Sequence, residues 1–397
     1  MKIFRQTILV FLLLIALYVL LLTTVYTIPD AWITDHVESA LGVLDAEGAY
    51  PQYFFGYPFG QADNNTDREM YRNLLRNDSS SVLHAAMVPH YARYWHGYAV
   101  LLRPLSVFLS LTNIRYLHMM VILLLLCLCF LEIAQQIHTA AAITFMLGLA
   151  ASFLWLAPFN MQYFTVTALT LLFSWIVMRL HRRKRHTTLP FLFLCFGSLT
   201  FFFDYLTFPV LTLGYPLILV LLLRKQDLQA RTFPSELLIL LSCTASWFAG
   251  YALTILAKGG IGTLVLGSNV MQEIFENSLY RINGALPCGY TTTVSAWMAI
   301  RYNADVFFNV RNSALLIVCV LCLLITIARR RSAIKGWASS LPILGAALLP
   351  YVWYAVLENH SIVHCYFTYK AQAVTFFGIC AYLLSLIDFS HKPSRFA

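Results

Sequence analysis

Charge is what this sequence has least of. Only 11% of its 397 residues are Asp, Glu, Lys or Arg, and 59% are hydrophobic, whereas a soluble domain carries roughly 25% charged residues. That scarcity excludes a soluble globular protein and leaves an integral membrane protein. There is also no Gly-rich phosphate loop, no low-complexity run, no convincing internal repeat and no soluble linker. Connections such as His181-Arg-Arg-Lys-Arg-His186 are too short to hold a nucleotide-binding domain. An ATP-driven or nucleotide-sugar enzyme working from the inside is therefore not expected, and a single membrane domain over 1–397 is the economical description.

What is there is a succession of apolar runs. The first, Thr7 to about Tyr26, follows Lys2 and Arg5 as a signal peptide would. It lacks a small-x-small cleavage site and is about 20 residues long, enough to span a bilayer, so we expect a retained helix. Further spans are expected near 116–136, 139–157, 162–180, 190–206, 209–223, 236–256, 312–328, 338–357 and 371–388, the pair around Pro209 being a split of one apolar stretch. The fold class expected is all-α, a polytopic transmembrane helix bundle of about ten spans with surface helices on the outer face.

A net charge of +9 would suggest nucleic acid in a soluble protein. In a membrane protein its distribution matters more, because Lys and Arg mark cytoplasmic loops. With both termini inside, 15 of the 27 Lys and Arg fall on a few short inner segments and 11 are spread over longer outer loops. No nucleic acid partner is expected. Short loops without a sorting signal fit a bacterial plasma membrane.

That orientation leaves three outer loops: 29–98, 258–311 and 358–370. In the first, Asp30, Asp35, Glu38, Asp45 and Glu47 alternate with Ile33, Val37, Ala40, Leu41 and Leu44 at helical spacing, the pattern of a helix lying along a membrane surface. Then come Asp63, Asn64, Asn65, Thr66, Asp67, Arg68 and Glu69, the densest polar stretch in the chain. Asp63 and Asp67, at i and i+4, can hold a general base and a positioning partner, with Glu69 beside them. The same residues also suit a helix start, with Asn65 or Thr66 as cap and a helix from about Asp67. The loop closes on His90, Arg93 and His96 among four aromatics, then Arg103. Arg93 and His96 share a helical face; they suit either a phosphate, which arginine grips with two hydrogen bonds, or an aromatic belt with snorkelling arginine.

Elsewhere, Asp204 is an acid amid apolar rings near an outer helix end, either functional or bonded to backbone, and Glu132 sits near an inner helix end within reach of water. The second outer loop offers Arg281, Arg301 and Arg311 with a surface helix over Asn269–Tyr280. The third places His360 and His364 at i and i+4, with Lys370 entering the next helix. No Glu follows the first histidine as zinc-protease chemistry requires, so anion binding or proton movement fits better than a closed metal site. Of nine cysteines only Cys288 and Cys365 face outward, so only these are placed to bridge. Three Asn-x-Ser/Thr patterns, at Asn64, Asn77 and Asn359, are what chance allows.

Taken together, a first helix entering from the cytoplasm, a long acidic first outer loop, many short spans, Asp67-Arg-Glu-Met-Tyr71 and His360-Ser-Ile-Val-His364 with Lys370 resemble the GT-C integral membrane glycosyltransferases. In this chain Arg68 separates Asp67 from Glu69, and the acids lie farther beyond the first helix than the family usually shows, which leaves Asp67, Asp63, Asp30 and Asp35 all eligible as the catalytic acid. The resemblance implies a polyprenyl-phosphate-linked sugar donor from the bilayer and a glycan or lipid acceptor. Asp67 or Asp63 would be general base, and Arg93, His360, His364 and Lys370 would hold the lipid phosphate. Asp63 and Asp67 could share a divalent cation. Two other readings remain: an envelope polysaccharide polymerase or ligase relying on its outer arginines, and a lipid-linked glycan transporter, which would concentrate polar groups at mid-membrane rather than at one face.

Overall fold

The computed structural model describes residues 2–53, 59–76, 81–88, 90–183, 189–226, 232–283, 294–330 and 337–387. Among these the chain is all-α, its one β feature an isolated bridge between Gln52 and Gln61. In chain order the helices are α1 (Lys2–Tyr26), α2 (Thr34–Glu47), α3 (Asn64–Arg72), α4 (Val82–Ala86), α5 (Ala99–Leu105), α6 (Leu111–Gln136) and α7 (Thr139–Ala151). There follow α8 (Met161–Arg182), α9 (Leu189–Phe203), α10 (Val210–Gln226), α11 (Phe233–Leu266), α12 (Val270–Asn283) and α13 (Ala296–Phe307). The chain ends with α14 (Val310–Arg330), α15 (Trp337–Ala347), α16 (Leu349–Val356), α17 (Glu358–Val363), α18 (Cys365–Thr368) and α19 (Ala373–Ser385).

Among the described residues six helical segments are long and apolar enough to cross a membrane: Arg5–Tyr26, Leu111–Gln136, Met161–Arg182, Phe233–Leu266, Val310–Arg329 and Trp337–Val356. These coincide with six of the ten expected spans and make the chain a multi-pass membrane protein. The other four are helical but short. Helix α7 stops after 13 residues, at a turn where Phe153 takes φ +58°, followed by Pro158 in a 3-10 turn. Thirteen residues cover about 20 Å, less than the ~30 Å hydrocarbon core. Helix α10 is 17 residues long and buried on every side from Val210 to Arg224. Its all-round apolarity, read as a span, is equally the signature of a helix at the centre of a bundle. The split at Pro209 is present: α9 ends at Phe203 and α10 starts at Val210.

Helix α1 shows how lipid and protein divide one apolar sequence. Tyr18, Leu22 and Tyr26 are buried against the body, while Leu9, Leu12, Leu13 and Leu20 stay exposed on the opposite side. Helices α9 and α11 cross closely. Gly197 and Gly250 sit where a Cβ would strike the backbone carbonyls of Trp247 and Leu194, so only glycine lets the two backbones meet.

Two expectations change in structural detail. The amphipathic stripe of α2 is not laid against lipid: Ile33, Val37, Ala40 and Leu44 are buried in the protein core. An apolar stripe does not specify what covers it. The loop expected from Lys258 does not begin there either, since α11 runs on to Leu266 and ends at Gly267, whose φ of +67° suits a glycine cap. Lys258 lies fully buried within that helix, its charge taken up by Met87 O at 2.7 Å.

The first loop is tied down by Arg103 of α5. Its guanidinium, fully buried and stacked over Tyr26, donates to the carbonyls of Val25 (3.0 Å), Ile28 (2.6 Å) and Leu74, and pairs with Asp30 at 2.9 Å. Asp30 also accepts the backbone N–H of Arg76 at 2.9 Å. These contacts fix the chain just past the end of α3 against the body.

Candidate functional site

Asp63, not Asn65 or Thr66, is the N-cap of α3, and the helix begins at Asn64. A short acceptor side chain just ahead of the first turn satisfies a backbone N–H that the helix leaves unpaired. Four donors converge on this buried carboxylate. Thr66 N reaches Oδ1 at 3.0 Å; Thr66 Oγ1 (2.8 Å), Gln162 Nε2 (2.8 Å) and Tyr366 Oη (3.3 Å) reach Oδ2.

One turn on, Asp67 faces the start of α8. Both its oxygens accept the N–H of Met161, at 3.0 and 2.9 Å, and Asn160 binds back to Asp63 O at 2.8 Å. The helix N-terminus favours a negative charge there. Burial opposes it more strongly and, with the neighbouring Asp63, pushes the Asp67 carboxyl up to about 8 despite the Met161 hydrogen bond. Two carboxyls at i and i+4 thus sit in environments that separate their roles, one capping its own helix and one capping the next. Behind them burial would raise the Glu47 carboxyl, but the bidentate Arg115 (2.5 and 2.8 Å) and Asn64 (2.9 Å) outweigh it and hold the group below the usual carboxylate range.

Tyr366 joins this end to the late histidines. His364 Nδ1 lies 3.5 Å from Tyr366 Oη, and Arg281 Nη1 donates to His364 Nε2 at 2.6 Å and to His360 Nδ1 at 3.1 Å. The imidazoles are 4.8 Å apart. Arginine has no lone pair to offer, so each histidine nitrogen facing it is an acceptor. Burial, with the Arg281 charge beside it, pushes the His364 ring down to about 3, and burial with His364 and Arg281 pushes His360 well below the ordinary histidine range. Both rings are neutral.

Arg281 also borders a cavity of about 230 Å³ between α12 and α9, α11 and α16. Its walls are apolar, with Phe201, Phe248, Ile255 and Val352 among them, and Arg93 and Arg281 are its two cations. Arg93 is already engaged, paired with Glu273 at 2.9 Å and stacked on Tyr91 at 3.8 Å. A more open groove of about 630 Å³ runs between α11 and the other side of α12, past Leu256, Met271 and Phe275.

The remaining residues singled out from sequence lie in other settings. His96 is buried, with Nε2 3.0 Å from Tyr91 O and Nδ1 2.7 Å from Tyr205 Oη; burial and nearby Lys258 hold it down to about 3. Its ring fastens one loop to another. Asp204 accepts Thr207 Oγ1 at 2.6 Å and Thr207 N at 3.1 Å, so its carboxylate closes the turn between α9 and α10. Lys370 is buried and donates to Ser152 O (2.9 Å) and Tyr369 Oη (3.1 Å) rather than to the histidines. Glu69 lies 3.2 Å from the exposed His90. Asp30 serves the Arg103 knot, and Asp35 is exposed in the first turn of α2. Glu132, expected to meet water, pairs with Arg179 and Arg182 at 3.1 and 2.8 Å. Cys288 lies outside the described residues. Among the described residues no three His, Cys, Asp or Glu side chains gather to hold a metal.

The structure therefore brings together Asp63, Asp67, His360 and His364 and adds Gln162, Tyr366 and Arg281. In sequence, nothing separates Arg281 from Arg301 and Arg311 except its position in the last turn of an amphipathic helix. No family model, curated protein or solved structure matches the chain.

Proposed function

We propose that the protein is a membrane glycosyltransferase, moving a sugar from a polyprenyl-phosphate donor to a glycan or lipid acceptor of the envelope, with Asp63 as general base. The observation that carries this reading is the juxtaposition just described. A buried carboxylate is joined through Tyr366 to a histidine–arginine cluster whose Arg281 borders an apolar cavity. Group transfer from a lipid phosphate calls for these three parts: a base for the acceptor hydroxyl, cationic donors for the phosphate that leaves, and a dry channel for the tail.

In this reading Asp63 takes the acceptor proton while Gln162, Thr66 and Tyr366 fix its orientation. Asp67, protonated over most of the neutral range, orients the start of α8 instead of competing for the proton. Arg281 and the two histidines meet the phosphate. The tail follows the cavity toward the bilayer, with α12 and its exposed Phe275 and Leu279 at the lipid boundary.

The test is genetic and chemical. Delete the gene, profile envelope glycans and polyprenyl-phosphate sugars by mass spectrometry, and complement with wild type, Asp63→Asn and Asp67→Asn at matched expression. Loss of one sugar from a glycan, accumulation of its lipid donor, and failure of Asp63→Asn to restore either is the expected outcome. Loss of a general base costs roughly 10²- to 10⁴-fold in rate. Full restoration by Asp63→Asn would remove that residue from the chemistry.

A further inference from the structure

The two arginines of the cavity are not equivalent. Arg93 has a carboxylate, Glu273, at 2.9 Å. Among the described residues Arg281 has no acidic partner; its Nη1 is spent on two neutral imidazoles, one of them the buried His360. A half-buried guanidinium held by neutral acceptors keeps its full charge in poorly hydrated surroundings, where a mobile anion is its natural counter-charge. The cavity beside it, about 230 Å³ and walled largely by apolar side chains of α9, α11, α12 and α16, offers room for an apolar tail next to that charge.

We propose that Arg281, His360 and His364 form a proton-linked anion site. It binds the phosphate-type head of an amphiphile while an imidazole takes a proton from solvent, and so prefers a dianionic phosphate monoester to a monoanionic diester.

The geometry gives the coupling. Both imidazole nitrogens that face Arg281 are acceptors here. An anion that takes over the guanidinium frees them, and either can then receive a proton and donate it back to the anion. One fixed charge matches a monoanion; a fixed charge with one protonated histidine matches a dianion.

Arg281 is the charge in direct contact with the histidines. Helix α12 contributes Arg281 itself. Arg301 and Asp305 of α13 pair with each other at 3.5 Å. Tyr354 of α16 donates to Thr368 O. From α18 and beyond come Cys365, Tyr366 and, through Tyr366, Asp63; Glu358 opens the histidines' own helix. The inference takes from the glycosyltransferase reading only that the ligand is an amphiphile. In that reading the diester is the donor and the monoester the leaving group, so the site would strengthen its grip as the bond to the sugar breaks.

The test uses the full chain in detergent micelles, with farnesyl phosphate as monoester probe and its methyl ester as diester probe. Affinities are measured calorimetrically across pH for wild type, Arg281→Gln, Arg281→Lys, His364→Gln and the double variant His360→Gln with His364→Gln. For the monoester, affinity should tighten as pH falls, by up to about tenfold per pH unit, and the wild-type slope should exceed that of the double variant. That difference removes the probe's own titration near pH ~6. The diester should show no such excess. Arg281→Gln should weaken monoester binding roughly tenfold to hundredfold, with Arg281→Lys between.

Equal slopes in wild type and the double variant would overturn the proton linkage. Unchanged affinity in Arg281→Gln would overturn the site, as would the absence of measurable binding by wild type. The predicted binding profile in a protein whose deletion alters no glycan would retire the glycosyltransferase reading and leave the site standing.

Discussion

Asp67→Asn should make this protein more stable at alkaline pH. The folded carboxyl titrates at about 8 against an ordinary 3.8. A carboxyl raised in this way contributes its stability while protonated, fully below its unfolded value, and loses it progressively as pH rises through the folded one. At ~1.36 kcal/mol per pH unit the ionised, buried form costs on the order of 5 kcal/mol by the time titration is complete. Asparagine keeps an oxygen for Met161 N and removes the charge, but leaves a buried amide N–H₂ needing acceptors, a penalty of roughly 1–3 kcal/mol. The net gain expected above about pH 8 is therefore roughly 2–4 kcal/mol, and the two proteins should converge and cross toward about pH 5.

Tryptophan fluorescence melts in detergent between those limits are the direct assay, the chain having eight tryptophans. The wild type should lose melting temperature with rising pH more steeply than the variant. Parallel pH profiles, or a variant less stable than wild type throughout, would refute the claim that burial dominates the Met161 hydrogen bond and the helix terminus.

Further outcomes follow from other contacts. Arg103→Met strips Asp30 and three backbone carbonyls of their shared donor, a loss of roughly 3–5 kcal/mol, and membrane-fraction immunoblots should show the protein failing to accumulate. Gly250→Leu should separate α9 from α11 and lower the melting temperature sharply, whereas Gly260→Leu on the same helix, with open space around its Cβ, should not. Tyr366→Phe removes one hydroxyl between Asp63 and His364, leaving the fold intact while slowing sugar transfer in the complementation assay.

How much of this was legible in sequence depended on whether a residue's partner was local. Pro209 announces a break because proline ends helices whatever surrounds them, and the break is there. The apolar runs announce helices, but not whether lipid or protein covers them, which is why the buried α10 reads like a span. Asp63 and Asp67 stand out by spacing, yet Asp67's setting depends on Met161, 94 residues away, and Asp63's on Gln162 and Tyr366. Tyr366 carries no motif at all. It matters only because α18 returns to the first loop, 303 residues distant in the chain. His96 and Lys370 showed the opposite problem: eligible by residue type, they are held by Tyr205 and Ser152, contacts no local pattern encodes.

The Arg103 knot also orders the protein's birth. Val25, Ile28 and Asp30 leave the ribosome long before residue 103, and until that guanidinium arrives their carbonyls and carboxylate have no common partner. A nascent chain stalled short of α5 would lack the donor that ties Val25, Ile28, Leu74 and Asp30 together, while one stalled past it would hold that knot closed and still leave Asp63 and Asp67 waiting for Gln162 and Met161.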